Sequence, residues 1–162
     1  MRRFHPTAVP SFRKVSRSSD PAWYGGVASR STVDAMAVQL NHTIVAARDK
    51  KESALFLAEI FGLPEPTRYG PFLAVQAAND VTLDFRDVTG HITSQHYAFL
   101  VSEDEFDAIL GRIRERNLPY WADPGHTRPG KINRKDGGRG VYFDDPNGHN
   151  LEAITRPYGS GG

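Results

Sequence analysis

The chain has 162 residues, of which 39% are hydrophobic and 24% are charged, a composition typical of one soluble globular domain or of two small modules that share a core. Its net charge of +1 predicts no strong attraction to nucleic acid or to an anionic membrane, and no apolar run approaches the roughly 20 residues that span a bilayer. Because the chain contains no cysteine, disulfides, thiolate metal sites and cysteine nucleophiles are excluded, which agrees with a location in a reducing cytoplasm.

Residues 1–38 differ in character from the rest of the chain. They carry six basic residues against two acidic ones, and their apolar residues follow no sustained period. We interpret them as a disordered extension. Two alternatives stay open, an organelle-targeting peptide and a start codon chosen upstream of the true one, since Met36 stands just before the first patterned segment.

Residues 39–90 are predicted to form a first module. A strand over 40–46 leads to a capping box, Asp49 to Glu52, and to a helix that ends at Gly62 and Pro64. The apolar face of this helix consists of Ala54, Leu57, Ala58 and Phe61. Three strands follow, predicted near residues 67–69, 72–77 and 81–87.

Residues 91–158 repeat the same succession as a second module. A strand over 95–101 leads to a second capping box, Ser102 to Glu105, and to a helix with its own apolar stripe. Strands are predicted near residues 120–122, 140–143 and 150–155, and the loop 123–138 makes the second copy longer than the first. The order strand, helix, three strands, stated twice, predicts an α+β fold of two βαβββ modules.

Two histidines and two carboxylates occupy equivalent places in the repeat. His42 and His96 are each the third residue of matching segments, Leu40-Asn-His42 and Ser94-Gln-His96, while Asp84 and Glu152 lie in the last strand of each module. Side chains alternate between the faces of a strand, so Asp84 belongs to the polar face with Thr82 and Arg86. If the modules are related by a pseudo-twofold axis, the four side chains converge on one concavity. Imidazole and carboxylate ligands suit Fe(II), Mn(II), Ni(II), Co(II) or Zn(II).

Three segments carry a resemblance to a known family. They are Leu-Asn-His42-Thr, Gln-His96-Tyr-Ala-Phe and the closing segment Gly-Val-Tyr-Phe-Asp-Asp-Pro-Asn-Gly-His-Asn-Leu-Glu152. The chain from about 40 to 156 resembles the vicinal-oxygen-chelate superfamily, which includes glyoxalase I, extradiol dioxygenases, fosfomycin-resistance thiol transferases and bleomycin-binding proteins. The resemblance implies an eight-stranded open cup, one divalent cation held by His42, His96 and Glu152, and a homodimer whose sites lie within one chain or are shared between two.

The resemblance leaves several functions open. A substrate with two adjacent oxygens would chelate the cation in a lyase or isomerase, a dioxygenase or a thiol transferase. Asp84 is a catalytic base or a further ligand. The loop residue His126 is a candidate acid or base, Arg128 and Lys131 are candidates for binding an anionic substrate, and Tyr142 for a hydrogen bond to it. The alternative is a metal-free protein that sequesters a drug, as bleomycin-resistance proteins do, although such a binder does not need the intact ligand set.

Overall fold

The described chain contains the predicted succession of one strand, one helix and three strands twice over. The computed structural model describes residues 38–161, so the predicted disordered extension lies outside the described residues except for Val38. The first module consists of β1 (His42–Ala47), α1 (Lys50–Phe61), β2 (Thr67–Tyr69), β3 (Phe72–Gln76) and β4 (Thr82–Asp87). The second consists of β5 (His96–Leu100), α2 (Glu103–Glu115), β6 (Tyr120–Trp121), β7 (Gly140–Asp144) and β8 (Asn150–Ile154), with a short 3₁₀ turn at Lys135–Gly137.

The prediction of an α+β fold with two βαβββ modules is confirmed. Each module forms its own four-stranded sheet, in the order β1-β4-β3-β2 and β5-β8-β7-β6. The first strand of each module runs parallel to the last one, and the other neighbours are antiparallel. Within one chain β1 and β5 are therefore edge strands. The strand ends differ from the predicted ones by at most two residues, and His42 and His96 are the first residues of β1 and β5.

Helix α1 begins at a cap that combines local and tertiary hydrogen bonds. The Oδ1 atom of Asp49 accepts the backbone N–H groups of Lys51 and Glu52 at 2.8 and 3.1 Å. In place of the predicted return bond from Glu52, the N–H of Lys50 donates to Asp87 at the end of β4, at 2.8 Å. These bonds satisfy donors that a helix N-terminus leaves free. The helix ends at Gly62, whose φ of 69° is the left-handed conformation that glycine adopts without strain.

The predicted capping box of helix α2 is confirmed. The backbone N–H of Glu105 donates to the hydroxyl of Ser102 at 3.2 Å, and the N–H of Ser102 donates to the Glu105 carboxylate at 2.7 Å. The buried face of α2 consists of Phe106, Ile109, Leu110 and Ile113, as the apolar period predicts. Neither helix in residues 38–161 is long and apolar enough to cross a bilayer.

The two modules share one hydrophobic core. Phe61 of α1 lies against two aromatic rings of the second module, with ring centroids 4.3 Å from Phe99 and 5.9 Å from Phe143. The buried residues of both helices and both sheets belong to a single cluster. Helix α1 therefore packs on the sheet of the second module as well as on its own.

His149 joins the modules at the backbone. Its side chain is buried, and its Nδ1 atom accepts the N–H of Gln95 at 3.0 Å. The Nε2 atom therefore carries the proton and donates to the carbonyl of Ala46 in β1 at 2.8 Å. The sequence predicts His149 only as the residue that leads into β8, and it does not predict this buried contact between modules.

The inner face of each sheet packs on the core, and the outer face carries the candidate polar residues. In β4, Leu83 and Phe85 are buried against the core, whereas Asp84 points to the opposite face, as the alternation predicts. The same alternation puts Glu152 and His96 on the outer face of the second sheet, because Glu152 is paired with Ala98, two residues after His96. The candidate site therefore lies on the outer faces.

Candidate metal centre

His96 and Glu152 form the most closely associated pair of candidate ligands. The His96 Nε2 atom lies 3.2 Å from Oε2 of Glu152. Glu152 is fully buried in the middle of the sheet, whereas the His96 side chain on the edge strand is 45% exposed. The pair therefore joins a buried carboxylate to an imidazole at the open rim.

The hydrogen bond of His96 to the backbone indicates which of its two ring nitrogens carries the proton. Nδ1 lies 3.1 Å from the backbone carbonyl of Asn150, and a carbonyl oxygen only accepts, so Nδ1 carries the proton. In the neutral ring, Nε2 then presents a lone pair to the Glu152 carboxylate, and two acceptors face one another. A cation between them removes this conflict. Bonds of about 2.0–2.2 Å bring neighbouring ligand atoms of one ion to about 3 Å from each other, so the pair fits a divalent metal.

Two buried carboxylate oxygens of the outer faces have no hydrogen-bond partner among residues 38–161. They are Oε1 of Glu152 and Oδ1 of Asp84. An unpaired buried acceptor is costly, and metal coordination is one way in which such an atom is satisfied. The donor set around Glu152 therefore agrees with the predicted cation.

The first module repeats this arrangement in the same register. Asp84 is paired with Ile44, two residues after His42, as Glu152 is paired with Ala98, two residues after His96. The Nδ1 atom of His42 donates to the side-chain oxygen of Asn41 at 2.8 Å, which leaves Nε2 free as a ligand. His42 and Asp84 line a concavity of about 360 Å³ in front of the first sheet.

One chain does not bring the predicted ligands together. His96 and Glu152 are in contact on the second sheet, while His42 and Asp84 lie on the first. In residues 38–161, no group of three or more histidine, aspartate or glutamate side chains is close enough to hold a metal ion. The expectation that all four side chains converge is therefore not met within one chain, and the ligand set stays a prediction.

Two tyrosines hydrogen bond beside the Glu152 carboxylate. The Tyr158 hydroxyl donates to Oε2 at 2.5 Å and lies 3.0 Å from the hydroxyl of Tyr142. Burial, and after it the nearby Glu152 carboxylate, hold the pKa of the Tyr142 hydroxyl well above its usual range. Tyr142 also stacks on His96, with ring centroids 5.9 Å apart. The predicted site residue Tyr142 thus lies at the centre, joined by Tyr158, which the sequence does not predict.

His126 lies on the same face of the second sheet. Its ring stacks on Trp121 with centroids 3.7 Å apart, and its Nε2 atom lies 2.8 Å from the side-chain nitrogen of Asn150. Asp144 lies 3.6 Å from the same nitrogen atom. The backbone of His126 has a φ of 58°, a conformation that is uncommon outside glycine and is often found at functional sites.

The two basic residues predicted for substrate binding lie in the same loop. The Arg128 guanidinium contacts the carboxylate of Asp123 at 3.6 Å and the carbonyl of Ala122 at 3.3 Å. Lys131 is exposed. Arg128 therefore already has partners within the loop, although both cations are exposed.

Three further residues lie at the site, although the sequence does not predict them there: Tyr158, Trp121 and Asn150. Asn150 is paired with His96 across the sheet and Trp121 is paired with Tyr142, so strand register could have predicted their outer-face positions. Tyr158 lies beyond the last strand, where no periodicity predicts which way a side chain points.

Comparisons with known proteins identify the family of the chain. Residues 39–153 match the family model of the Glyoxalase/Bleomycin resistance protein/Dioxygenase superfamily. The solved structure of Oxidase ChaP-H2 is 69% identical, with a TM-score of 0.76, and the match covers 78% of this chain and 100% of that one.

Two curated relatives are more distant in sequence. Glutathione transferase FosA from Serratia marcescens is 28% identical over 72% of this chain and 80% of its own. Metallothiol transferase FosB from Lysinibacillus sphaericus (strain C3-41) is 29% identical over 74% of this chain and 84% of its own. Both curated relatives are named as transferases, whereas the solved structure is that of an oxidase.

Proposed function

Because the chain belongs to the glyoxalase/bleomycin resistance protein/dioxygenase superfamily, we propose that it is a divalent-metal-dependent enzyme that oxidises a small molecule. The substrate would bind the cation through two adjacent oxygen atoms. The 69% identity to an oxidase over that protein's whole length, against 28% to a thiol transferase, supports oxygen chemistry over thiol transfer, and over the lyase or isomerase reaction that the sequence leaves open.

The observation that carries the proposal is the contact between His96 and Glu152. An imidazole nitrogen 3.2 Å from a buried carboxylate oxygen would form half of a metal site. The other carboxylate oxygen of Glu152 has no partner. His96 and Glu152 would hold the cation together with His42, and Asp84 would serve as a base or as a further ligand.

We propose that the third ligand comes from a second copy of the chain. His42 and His96 both lie on edge strands, whose backbone groups are free to pair with another strand. Apolar side chains on these strands are exposed, with Ile44 50% and Leu100 61% accessible. A homodimer that pairs these edges would bring His42 of one chain toward His96 and Glu152 of the other.

Bound to these ligands, the cation would supply Lewis acidity toward the substrate oxygens and, as Fe(II), electrons for chemistry with dioxygen. The chain's own residues would position the substrate and move protons. His126, fixed by Trp121 and Asn150, would accept or donate a proton at the substrate. Tyr142 would accept a hydrogen bond from a substrate hydroxyl, and Lys131 with Arg128 would attract an anionic group. The absence of cysteine agrees with a cytoplasmic enzyme.

The test is metal content, measured by elemental mass spectrometry on protein purified without a chelator. The parent is expected to hold about one divalent cation per chain, and His96→Ala and Glu152→Ala to lose it. His91→Ala and Glu115→Ala remove an exposed residue of each type away from the site and are expected to bind like the parent. A parent that holds no metal and takes up none on titration would contradict the proposal and favour a metal-free drug-binding protein.

A second measurement separates oxygen chemistry from the other reaction types. Fe(II)-loaded protein is exposed to nitric oxide, a stable substitute for dioxygen, and the adduct is followed by electron paramagnetic resonance. We expect an adduct in the parent and in His91→Ala and none in Glu152→Ala. Metal binding without any adduct would instead favour lyase, isomerase or transferase chemistry.

A further inference from the structure

The C-terminal segment after β8 returns to the outer face of the second sheet. Thr155 is joined to Arg139 by two hydrogen bonds, in which the Arg139 N–H donates to the threonine hydroxyl at 2.8 Å and the Thr155 N–H donates to the Arg139 carbonyl at 2.9 Å. A turn follows, in which Ser160 donates to the carbonyl of Pro157 and Gly159 has a φ of 72°. This turn carries Tyr158.

Most of Tyr158 is exposed to solvent, but its hydroxyl makes a buried contact. The residue is 63% accessible, so it adds little to the core. Its hydroxyl nevertheless bonds to the carboxylate of Glu152, which is fully buried. Because Tyr158 buries little surface, its main interaction with the rest of the protein is the hydrogen bond from its hydroxyl to the buried Glu152 carboxylate.

The three polar groups form a chain with a defined direction. A carboxylate only accepts, so the Tyr158 hydroxyl donates to Oε2 of Glu152. Its oxygen then accepts the proton of Tyr142, 3.0 Å away. Tyr142 is fixed by burial and by its stacking on His96. Hydrogen bonds connected in this way strengthen one another.

The oxygen that accepts from Tyr158 is the same oxygen that faces His96. Oε2 lies 2.5 Å from the Tyr158 hydroxyl and 3.2 Å from Nε2 of His96. A carboxylate oxygen has two lone pairs, so one can bond to the phenol while the other remains for a cation. Rotation of the carboxylate away from His96 would break the bond to Tyr158.

We infer that Tyr158 is a positioning residue of the metal centre: its hydroxyl holds Oε2 of Glu152 toward His96 and thereby increases the affinity for a divalent cation. The inference rests on the proposed function, since it assigns a role toward the metal that His96 and Glu152 would bind. Hydrogen bonds to metal-ligating groups typically contribute about 10- to 100-fold to metal affinity.

The test compares Co²⁺ binding in the parent and in Tyr158→Phe, which keeps the ring and removes the hydroxyl. We expect about 10- to 100-fold weaker binding, a changed visible absorption spectrum of the bound Co²⁺, and an unchanged unfolding temperature. The matched control is Tyr120→Phe, because the Tyr120 hydroxyl bonds to Arg114 and its ring lies on the other face of the same sheet. This control is expected to bind Co²⁺ with the parent's affinity and spectrum.

A second variant keeps the inference testable if Tyr158→Phe is poorly folded. Tyr142→Phe removes the donor to Tyr158 but leaves the bond between Tyr158 and Glu152, so it should weaken Co²⁺ binding by less than about 10-fold. Parental affinity and spectrum in Tyr158→Phe, or a loss of about 10-fold or more in Tyr142→Phe, would overturn the inference. A parent that binds no Co²⁺ would instead contradict the proposed function.

Discussion

The loop that presents His126 depends on a single carboxylate. Asp123 accepts the backbone N–H groups of Thr127 and Arg128, both at 3.0 Å, and its own carbonyl accepts the N–H of His126 at 3.2 Å. These bonds hold the loop in a conformation in which His126 has a positive φ, which a non-glycine residue adopts at a cost of about 1–3 kcal/mol. The hydrogen bonds from the backbone, chiefly that of Thr127, lower the pKa of Asp123.

We predict that Asp123→Ala loosens this loop without unfolding the domain. The amides of Thr127 and Arg128 should exchange with solvent faster than in the parent, because both lose their acceptor. Amide hydrogen exchange followed by NMR measures this change, and Asp104→Ala, an exposed aspartate on α2, serves as the control. Equal protection of the two amides in parent and variant would contradict the role given to Asp123.

The same carboxylate gives the loop a pH dependence of known sign. The pKa of Asp123 is lowered in the folded protein, so its contribution is present above the unfolded pKa and is lost as the pH falls through the folded value. The amide resonances of Thr127 and Arg128 should therefore titrate with a midpoint below about 3.9, the usual aspartate value. A midpoint above that value would contradict the lowered pKa.

At the scale of elements, helix α2 is tied down at its N-terminus. Ser102 and Glu105 close the capping box, and Arg139 at the start of β7 forms ion pairs with Glu103 and Asp107. The Arg139 guanidinium also lies 4.5 Å from the ring centroid of Phe106. The backbone N–H of Arg139 also donates to Thr155. Arg139 therefore contacts both the start of α2 and the start of the C-terminal segment.

We predict that Ser102→Ala lowers the free energy of unfolding by about 1 kcal/mol, because the N–H of Glu105 loses its acceptor. Ser102→Asp, another residue that caps helices well, should retain most of the parent's stability. Urea unfolding followed by circular dichroism measures both variants. If Ser102→Asp were destabilised as much as Ser102→Ala, the capping explanation would be wrong.

At the scale of the whole molecule, each sheet carries one half of the candidate metal site. We call His42 with Asp84 and His96 with Glu152 the two half-sites, and they have the same register in their modules. A twofold dimer repeats each contact, so it would form two complete sites from four half-sites. Each site would take His42 from one chain and the contacting pair from the other.

Mixing two variant chains that each lack one predicted ligand tests this arrangement. A His42→Ala chain and a Glu152→Ala chain are refolded together in equal amounts. Half of the dimers are then mixed and one of their two sites is intact, so about a quarter of the parent's metal content should return. The control mixture of His96→Ala with Glu152→Ala should restore none, because both changes fall in the same half-site. Recovery no greater than in this control would favour sites that lie within one chain.

The sequence by itself determined the modules, the residues Asp49 and Ser102 that cap the helices, and the faces on which the candidate ligands lie. These features depend on local rules, namely the periods of strands and helices and the hydrogen bonds of a helix start. Asp84 and Glu152 are on the outer faces because neighbouring residues of a strand point in opposite directions. The family likewise follows from short local segments, above all the closing turn and strand that end in Glu152.

Only the tertiary structure decided which of these residues meet. The separation of His42 from His96, the buried bond from His149 to the backbone of β1, and the contact of Tyr158 with Glu152 all join elements whose relative positions no local period encodes. They depend on how two sheets and two helices share one core, which is a property of packing over the whole chain. The domain limits, the metal ligands and the shared dimer site remain predictions, and the last of these also depends on a second chain.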